Sequence, residues 1–332
     1  MMSRAAFTCM VAVWYVALLT TGHLAPNAGV TRLSSNPFVS RRSGAVPSSP
    51  VRLPAWRAHS ASCPTPWRVV ATPAVAGSGS LRSAVALSSS NVWAVGSVED
   101  GGGEDTLIEH WDGARWRTVA SPDNGGPVTR LFGIGARSAT DIWAVGDYKN
   151  ADAAGTLTEH WDGTHWRIVP DAGAGTGILL NAVAVIAHDD VWAVGSGRGG
   201  LGTGTTLTEH WDGARWTIVP SPGRSRFSIG LTAVAAVSRT DVWAVGSYQN
   251  SVGTWPLVEH WDGVRWRIVT MPDTSMGTLS GITAVSAHDV WVVGATSDYL
   301  AAQPLMEHWD GAHWQVVASP RPAGRADIPL PP

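Results

Sequence analysis

The residues whose types could do chemistry come in five pairs: Glu109-His110, Glu159-His160, Glu209-His210, Glu259-His260 and Glu307-His308. A carboxylate beside an imidazole invites a metal-site reading. The spacing argues against it, because adjacent residues on a strand point to opposite faces and one pair cannot chelate one ion. There is no His-Glu-x-x-His or Cys-His cluster either. The five glutamates are expected instead to accept hydrogen bonds from backbone or Trp Nε1–H groups, within or between structural units.

Other constellations are weaker. Glu99, Asp100, Glu104 and Asp105 bracket three glycines and could hold Ca²⁺, but they occur in one place only, and a solvated acidic loop competes with that reading. Gly197 to Gly202 matches G-x-G-x-x-G, yet it opens a strand rather than a helix, so the phosphate-binding context fails. No G-x-S-x-G elbow occurs. Tyr148, Tyr248 and Tyr299 fall in loops, but no spacing selects a catalytic set around them. No catalytic residue and no cofactor are assigned, and the expectation is a chain that is not an enzyme.

The Glu-His pairs belong to a longer phrase, Glu-His-Trp-Asp-Gly-x-x-Trp, repeated at intervals of 50, 50, 50 and 48 residues. Trp-Ala-Val-Gly precedes each copy, at Trp93, Trp143, Trp192 and Trp243, and as Trp-Val-Val-Gly at Trp291. Periods of this size signal a repeat architecture. In the first unit, strand a is expected near Leu81–Leu87, b at Val92–Gly96, c at Leu107–Trp111 and d at Trp116–Ala120. Asn91 ends the turn between a and b, and Asp141, Asp190, Asp241 and Asp289 stand at the matching places. Asp112-Gly113 between c and d is a strong hairpin signal. A loop of two or four residues puts Trp111 and Trp116 on one face as a cross-strand pair, with Glu109 beside them and His110 on the other face. No segment has a 3.6-residue apolar period.

Four-stranded antiparallel units at this period predict an all-β fold, a five-bladed β-propeller with units at about 81–122, 129–172, 179–222, 230–272 and 281–320. A lone sheet cannot cover both of its faces; stacking does. Trp67 to Thr72 matches a d strand without a, b or c before it, and predicts one extra N-terminal strand.

The unit resembles a kelch repeat. Gly96, the run Glu109-His110-Trp111-Asp112 and Trp116 occupy the places of the kelch glycines, the acidic-x-aromatic segment and the strand d Trp, and the other units follow suit. The paired kelch glycines are single here, and the aromatic is Trp rather than Tyr. The c–d turn also resembles the Asp-box of sialidase-like propellers, whose preceding Ser is missing here and whose Asp–Gly spacing is one residue longer than the adjacent Asp112-Gly113. Both resemblances imply a propeller and neither fixes an activity. A copper radical site of the galactose-oxidase type would need a Cys beside a Tyr, and Cys63 lies before the repeats.

The fifteen repeat tryptophans are read as blade core: Trp93, Trp111, Trp116, Trp143, Trp161, Trp166, Trp192, Trp211, Trp216, Trp243, Trp261, Trp266, Trp291, Trp309 and Trp314. Burial of one such ring contributes up to about 4–6 kcal/mol. Ligand or partner contacts are expected on the variable b–c and d–a loops, with Tyr148, Arg198, Tyr248, Trp255 and Tyr299 as candidates. The leading reading is a binding scaffold for a protein or polysaccharide. The alternatives are a multivalent lectin with equivalent sites between blades, or a propeller enzyme without an identifiable site.

The chain has 332 residues, 44% hydrophobic, with a formal net charge of -3, so no global field favours nucleic acid or an anionic membrane. Lys149 is the one lysine among many arginines, the usage of a GC-rich and hence bacterial genome. Residues 1–28 read as a secretory signal, cleaved or kept as an anchor. Residues 29–62 read as a Ser/Pro-rich linker, 63–320 as the propeller and 321–332 as a Pro-rich tail. Cys9 would leave with the signal, so no intrachain disulfide is expected and a monomer must be held by its core.

Overall fold

The computed structural model describes residues 69–319, apart from 123–125, 152, 174–176, 199–203, 226, 273–274 and 298–301. From Val70 on, the described residues form one compact body, in which five repeat units follow one another. The expected signal, linker and tail, with Cys9, Cys63, Trp67 and Tyr299, lie outside the described residues, as does the side chain of Arg198.

All described regular structure is β. Unit 1 contains β1 (Ser78–Ser88), β2 (Asn91–Glu99), β3 (Glu104–Trp111) and β4 (Trp116–Val119). Unit 2 contains β5 (Val128–Ser138), β6 (Asp141–Lys149), β7 (Ala154–Trp161) and β8 (Trp166–Ile168). Unit 3 contains β9 (Leu179–Ala187), β10 (Asp190–Arg198), β11 (Gly204–Trp211), β12 (Trp216–Ile218) and a short β13 (Arg224–Ser225) on β11. Unit 4 contains β14 (Ile229–Ser238), β15 (Asp241–Gln249), β16 (Thr254–Trp261) and β17 (Trp266–Ile268). Unit 5 contains β18 (Gly277–Ser286), β19 (Asp289–Thr296), β20 (Pro304–Trp309) and β21 (Trp314–Val316). Each unit is an antiparallel a–b–c–d ribbon, and one parallel bridge, Glu104 to Val128, joins units 1 and 2 into a single sheet. The fold is an all-β propeller of repeated four-stranded sheets.

The turn chemistry explains the register. Asp112 Oδ1 accepts from the N–H groups of Ala114 and Arg115 at 2.9 and 3.0 Å, and Gly113 takes φ +94°. The four-residue loop pairs Trp111 with Trp116, ring centroids 5.9 Å apart, as parity predicts. Gly96 lies across from a bulge in β1, and a Cβ there would run into the Ser80 carbonyl. The same collision awaits a side chain at Gly146, Gly195, Gly246 and Gly294.

Two expectations need correction. Residues 69–75 form no strand, so the extra strand predicted over 67–72 is absent where it is described. A d-type segment without its own a, b and c strands has no ladder to join. The b–c loops are also shorter than expected. The hairpins zip on through Glu99↔Glu104, Tyr148↔Gly155 and Tyr248↔Trp255, because alternating pairs continue until Gly101 or the Asn150 and Asn250 turns stop them.

In units 2 to 4 strand b is buried on both faces because each face meets a neighbouring unit. Trp93 and Val95 pack on Leu131, Ile142, Leu157 and Trp166 of unit 2. Equivalent cores join units 2 and 3, 3 and 4, and 4 and 5. Among the described residues there are four such cores for five units, and none joins unit 5 to unit 1.

Candidate functional site

Residues at i and i+2 of a strand share a face. The residue that opens strand b therefore lies beside its Trp and across from the His of strand c. Asn91 Oδ1 accepts from Trp93 Nε1 at 2.9 Å and contacts His110 Nε2 at 2.9 Å, and Trp93 stacks on His110 with centroids 4.3 Å apart. Later units use Asp: His160–Asp141 is 3.0 Å, His210–Asp190 2.8 Å, His260–Asp241 2.8 Å and His308–Asp289 3.0 Å. Each b-strand Trp lies against the paired His of its own unit, centroids 4.0–4.6 Å apart. Burial lowers the pKa of His110, whose nearest partner is neutral Asn91.

The next unit supplies the other wall. Trp143 sits 5.1 Å from Trp211 and 5.2 Å, edge-on, from Trp216. Trp192 sits 4.8 Å from Trp261 and 5.2 Å, edge-on, from Trp266. Above these rings a groove opens on the face of the short a–b and c–d turns. Between units 3 and 4 its volume is about 220 Å³, lined by Asp190, Trp192, His210, Arg239 and Trp261 among others. Between units 2 and 3 it is about 600 Å³, with Asp141, Trp143, His160, Arg167, His188 and Trp211 in its wall. Arg239 bonds Asp189 at 2.6 Å and reaches Asp190 at 3.6 Å, which narrows the smaller groove.

In these two grooves the tryptophans are not internally satisfied. Trp143 Nε1, Trp192 Nε1 and Asp141 Oδ2 are buried without a hydrogen-bond partner among the described residues. In units 4 and 5 the same Trp nitrogen is bonded to its own Asp, at 2.8 and 2.7 Å. Aromatic walls with His, Asp and Arg among the lining residues suit a ligand that carries both apolar faces and hydroxyl groups.

The glutamates face the other way, toward the preceding unit. Ser121 of unit 1 lies 3.0 and 2.9 Å from the two carboxylate oxygens of Glu159, and Ser221 donates to Glu259. Backbone groups of Ala172 and Gly223 also bond Glu209 and Glu259, as expected, while a Ser hydroxyl stands where a Trp Nε1–H was the alternative. The c-strand tryptophans instead donate to carbonyls of the a–b turn, Trp111 to Ser89 and Trp161 to Ala139 at 3.1 Å. Burial pushes Glu159 and Glu209 up to about 8, the nearby Asp171 adding to the shift at Glu209, and burial takes Asp171 to about 6.

The residues proposed for the b–c face are differently placed. Tyr148 and Tyr248 lie in strands and pack on the cores between units 1 and 2 and between units 3 and 4. Trp255 pairs with Tyr248 and is half-buried. The four acidic residues do not converge: Glu104 accepts from Ser97 at 2.7 Å and lies 3.6 Å from Arg130, while Asp100 holds the Gly102 N–H at 3.0 Å. No group of three or more His, Cys, Asp or Glu is placed to hold a metal among the described residues. The residue missed from sequence is the Asn or Asp two places before each b-strand Trp; its recurrence beside Trp was the available signal.

No protein-family model and no curated protein match the chain. Solved structures do, at low identity. It is similar to YCF48 bound to a peptide (13% identity, 76% of this chain and 84% of that one, TM-score 0.44). It is similar to a polysaccharide lyase, an ulvan lyase in complex with its saccharide (11%, 71% and 65%, TM-score 0.46). It is also similar to the Trypanosoma rangeli sialidase (14%, 75% and 48%, TM-score 0.44), spanning about half of that protein's length. These neighbours are β-propellers, in keeping with the repeated four-stranded sheets. Because enzymes stand among them, the expectation of a non-enzymatic chain is corrected: propellers like this one include catalysts.

Proposed function

We propose that this chain is a secreted or envelope-attached propeller whose kelch-like units bind carbohydrate in the grooves between successive units. The observation that carries this is the groove between units 2 and 3, walled by the rings of Trp143, Trp211 and His160 with the carboxylate residue Asp141 among its lining. Aromatic walls with a few convergent polar groups are the chemistry of a small-ligand site. The repeated Asp–His–Trp set makes the sites equivalent in kind. That a fucose lectin in complex with methyl-fucoside and a saccharide-bound lyase are among the similar solved structures is compatible with the reading.

Calorimetric titration of the full chain against a panel of neutral and acidic glycans tests it. Saturable binding to at least one glycan is expected, weakened at least tenfold by Asp141→Ala and unchanged by Asp112→Ala in a remote turn. Absence of binding across the panel, or binding indifferent to Asp141→Ala, refutes it. Following released reducing ends in the same mixtures reports any turnover of the bound sugar.

A second reading, a protein partner on the b–c face, draws on unit 4. There Val252 and Phe227 are exposed at 68% and 53%, and Trp255 is half-buried. Val252→Ser with Phe227→Ser abolishes capture of a partner under this reading and leaves glycan binding intact.

A further inference from the structure

Each inter-unit interface has two halves. The forward half is the Trp of strand b with its His, a Val two residues on, and an apolar residue near the end of strand a. The backward half is the Trp pair of strands c and d, a Leu of strand a and the buried Glu. Units 1 to 4 each present a forward half that the next unit covers.

Unit 5 carries a complete forward half that no other unit covers among the described residues. Trp291 stacks on His308 at 4.3 Å and donates to Asp289, as in its covered equivalent Trp243. Yet Trp291 and Val293 are only half-buried, whereas Val95, Val145, Val194 and Val245 are completely so. Val285 is 50% exposed, while its equivalents Leu87 and Ile186 pack in cores.

Unit 1 carries the matching backward half. Leu81 is 39% exposed, against 0–1% for Leu131, Leu180, Leu231 and Leu279. Trp116 is half-buried, against 3–5% for Trp166, Trp216, Trp266 and Trp314. Glu109 is 2% exposed, and its Oε2 has no partner among the described residues. Glu159 and Glu259 take a bond from the Ser five residues after the preceding unit's d-strand Trp. Unit 5 ends with that same residue, Ser319, five after Trp314.

We propose that a second copy of this chain docks head to tail, its unit 1 seated on the unit 5 face of the first. This repeats an interface that the chain already builds four times, and it covers both apolar faces at once. Ser319 of one copy donates to Glu109 of the other. Trp291, His308 and Asp289 meet the Trp111–Trp116 pair and complete a further groove of the kind described above. Such a heterologous contact closes into a ring or extends into a chain according to the rotation between copies.

Light scattering and sedimentation of the full chain, 34.9 kDa per copy, decide it. The wild type is expected to rise in mass with concentration. Leu81→Glu and Val285→Glu each disable one half of the contact at an exposed position, so each variant alone stays at one copy. Mixed in equal amounts they regain one good interface, from the unit 1 face of Val285→Glu and the unit 5 face of Leu81→Glu, and form a species of two copies and no larger. A wild type of one copy up to about 100 µM overturns the proposal, whether the two ends close on each other within one chain or another molecule covers them. So does a mixture that stays at one copy.

Discussion

Glu159 can be made to report its own burial. Its pKa is held at about 8 against an ordinary 4.5 because the side chain is fully buried between units 1 and 2. A carboxyl group whose pKa is raised on folding stabilises the folded chain below the unfolded value, and that stability is lost as pH rises through the folded one. Each pH unit of the gap is worth about 1.4 kcal/mol. Between pH 5 and pH 8, ionisation of this one residue therefore removes about 3 kcal/mol, allowing for half-protonation at the upper end. For a domain of this size that is about 6–12 °C in melting temperature. Glu159→Gln keeps an oxygen to accept from Ser121 and removes the charge. The variant is expected to melt with the wild type at pH 5 and above it at pH 8, by about that margin, in calorimetric scans across this range. Glu209, also held at about 8, leaves part of the slope in place. Identical pH slopes for variant and wild type would show that Glu159 is not desolvated when folded, and the packing of Ser121 against it would be wrong.

Other outcomes follow from the same geometry. Asp112 and Asp262 are held down to about 2, first by turn N–H groups and then by Arg117 and Arg267. Their contribution is present above the ordinary carboxylate value and lost as pH falls through about 2. Together with the buried glutamates this places maximal stability near pH 4–5, measurable in a melting series from pH 2 to 9. Gly113→Ala introduces a side chain at φ +94° whose Cβ lies 2.7 Å from Ser90 Cβ, and costs about 1 kcal/mol or more in denaturant titration. Trp243→Ala opens the core between units 4 and 5 and costs about 3–5 kcal/mol. Trp291→Ala, at a half-buried equivalent, costs less than half as much in dilute solution; equal losses would mean that Trp291 is as well covered as Trp243.

The strand order and the c–d hairpins could be read directly, because both depend on short-range rules. The Asp-Gly turn fixes loop length, loop length fixes parity, and parity pairs Trp111 with Trp116. The boundaries were harder. Glu99, Glu104, Tyr148 and Tyr248 read as loop because Gly and Asp surround them, yet hairpins lengthen as long as cross-strand pairs continue. The groove was half legible: His210 and Trp192 were visible as repeated residues, but their meeting with Asp190 depends on register across strands b and c. Which unit lies next to a given face is a tertiary fact, so the Ser121–Glu159 bond could not be foreseen from either residue. Repetition itself misdirected the search. It argued that the repeated residues build the blades and nothing more, whereas Trp143 of the second phrase, Asp141 two places before it and His160 of the first line the groove.

The tryptophans have an optical consequence. Trp93, Trp143, Trp192 and Trp243 each sit within 6 Å of a pair of indoles from the next unit, at tilted or edge-on angles. Indoles so close share their excited states. The folded chain should therefore give strong, split near-ultraviolet circular dichroism, and its emission should be depolarised by energy transfer even where the rings do not move. Trp291 has no such trio among the described residues, so a change in its spectral contribution would mark the moment another set of rings arrives.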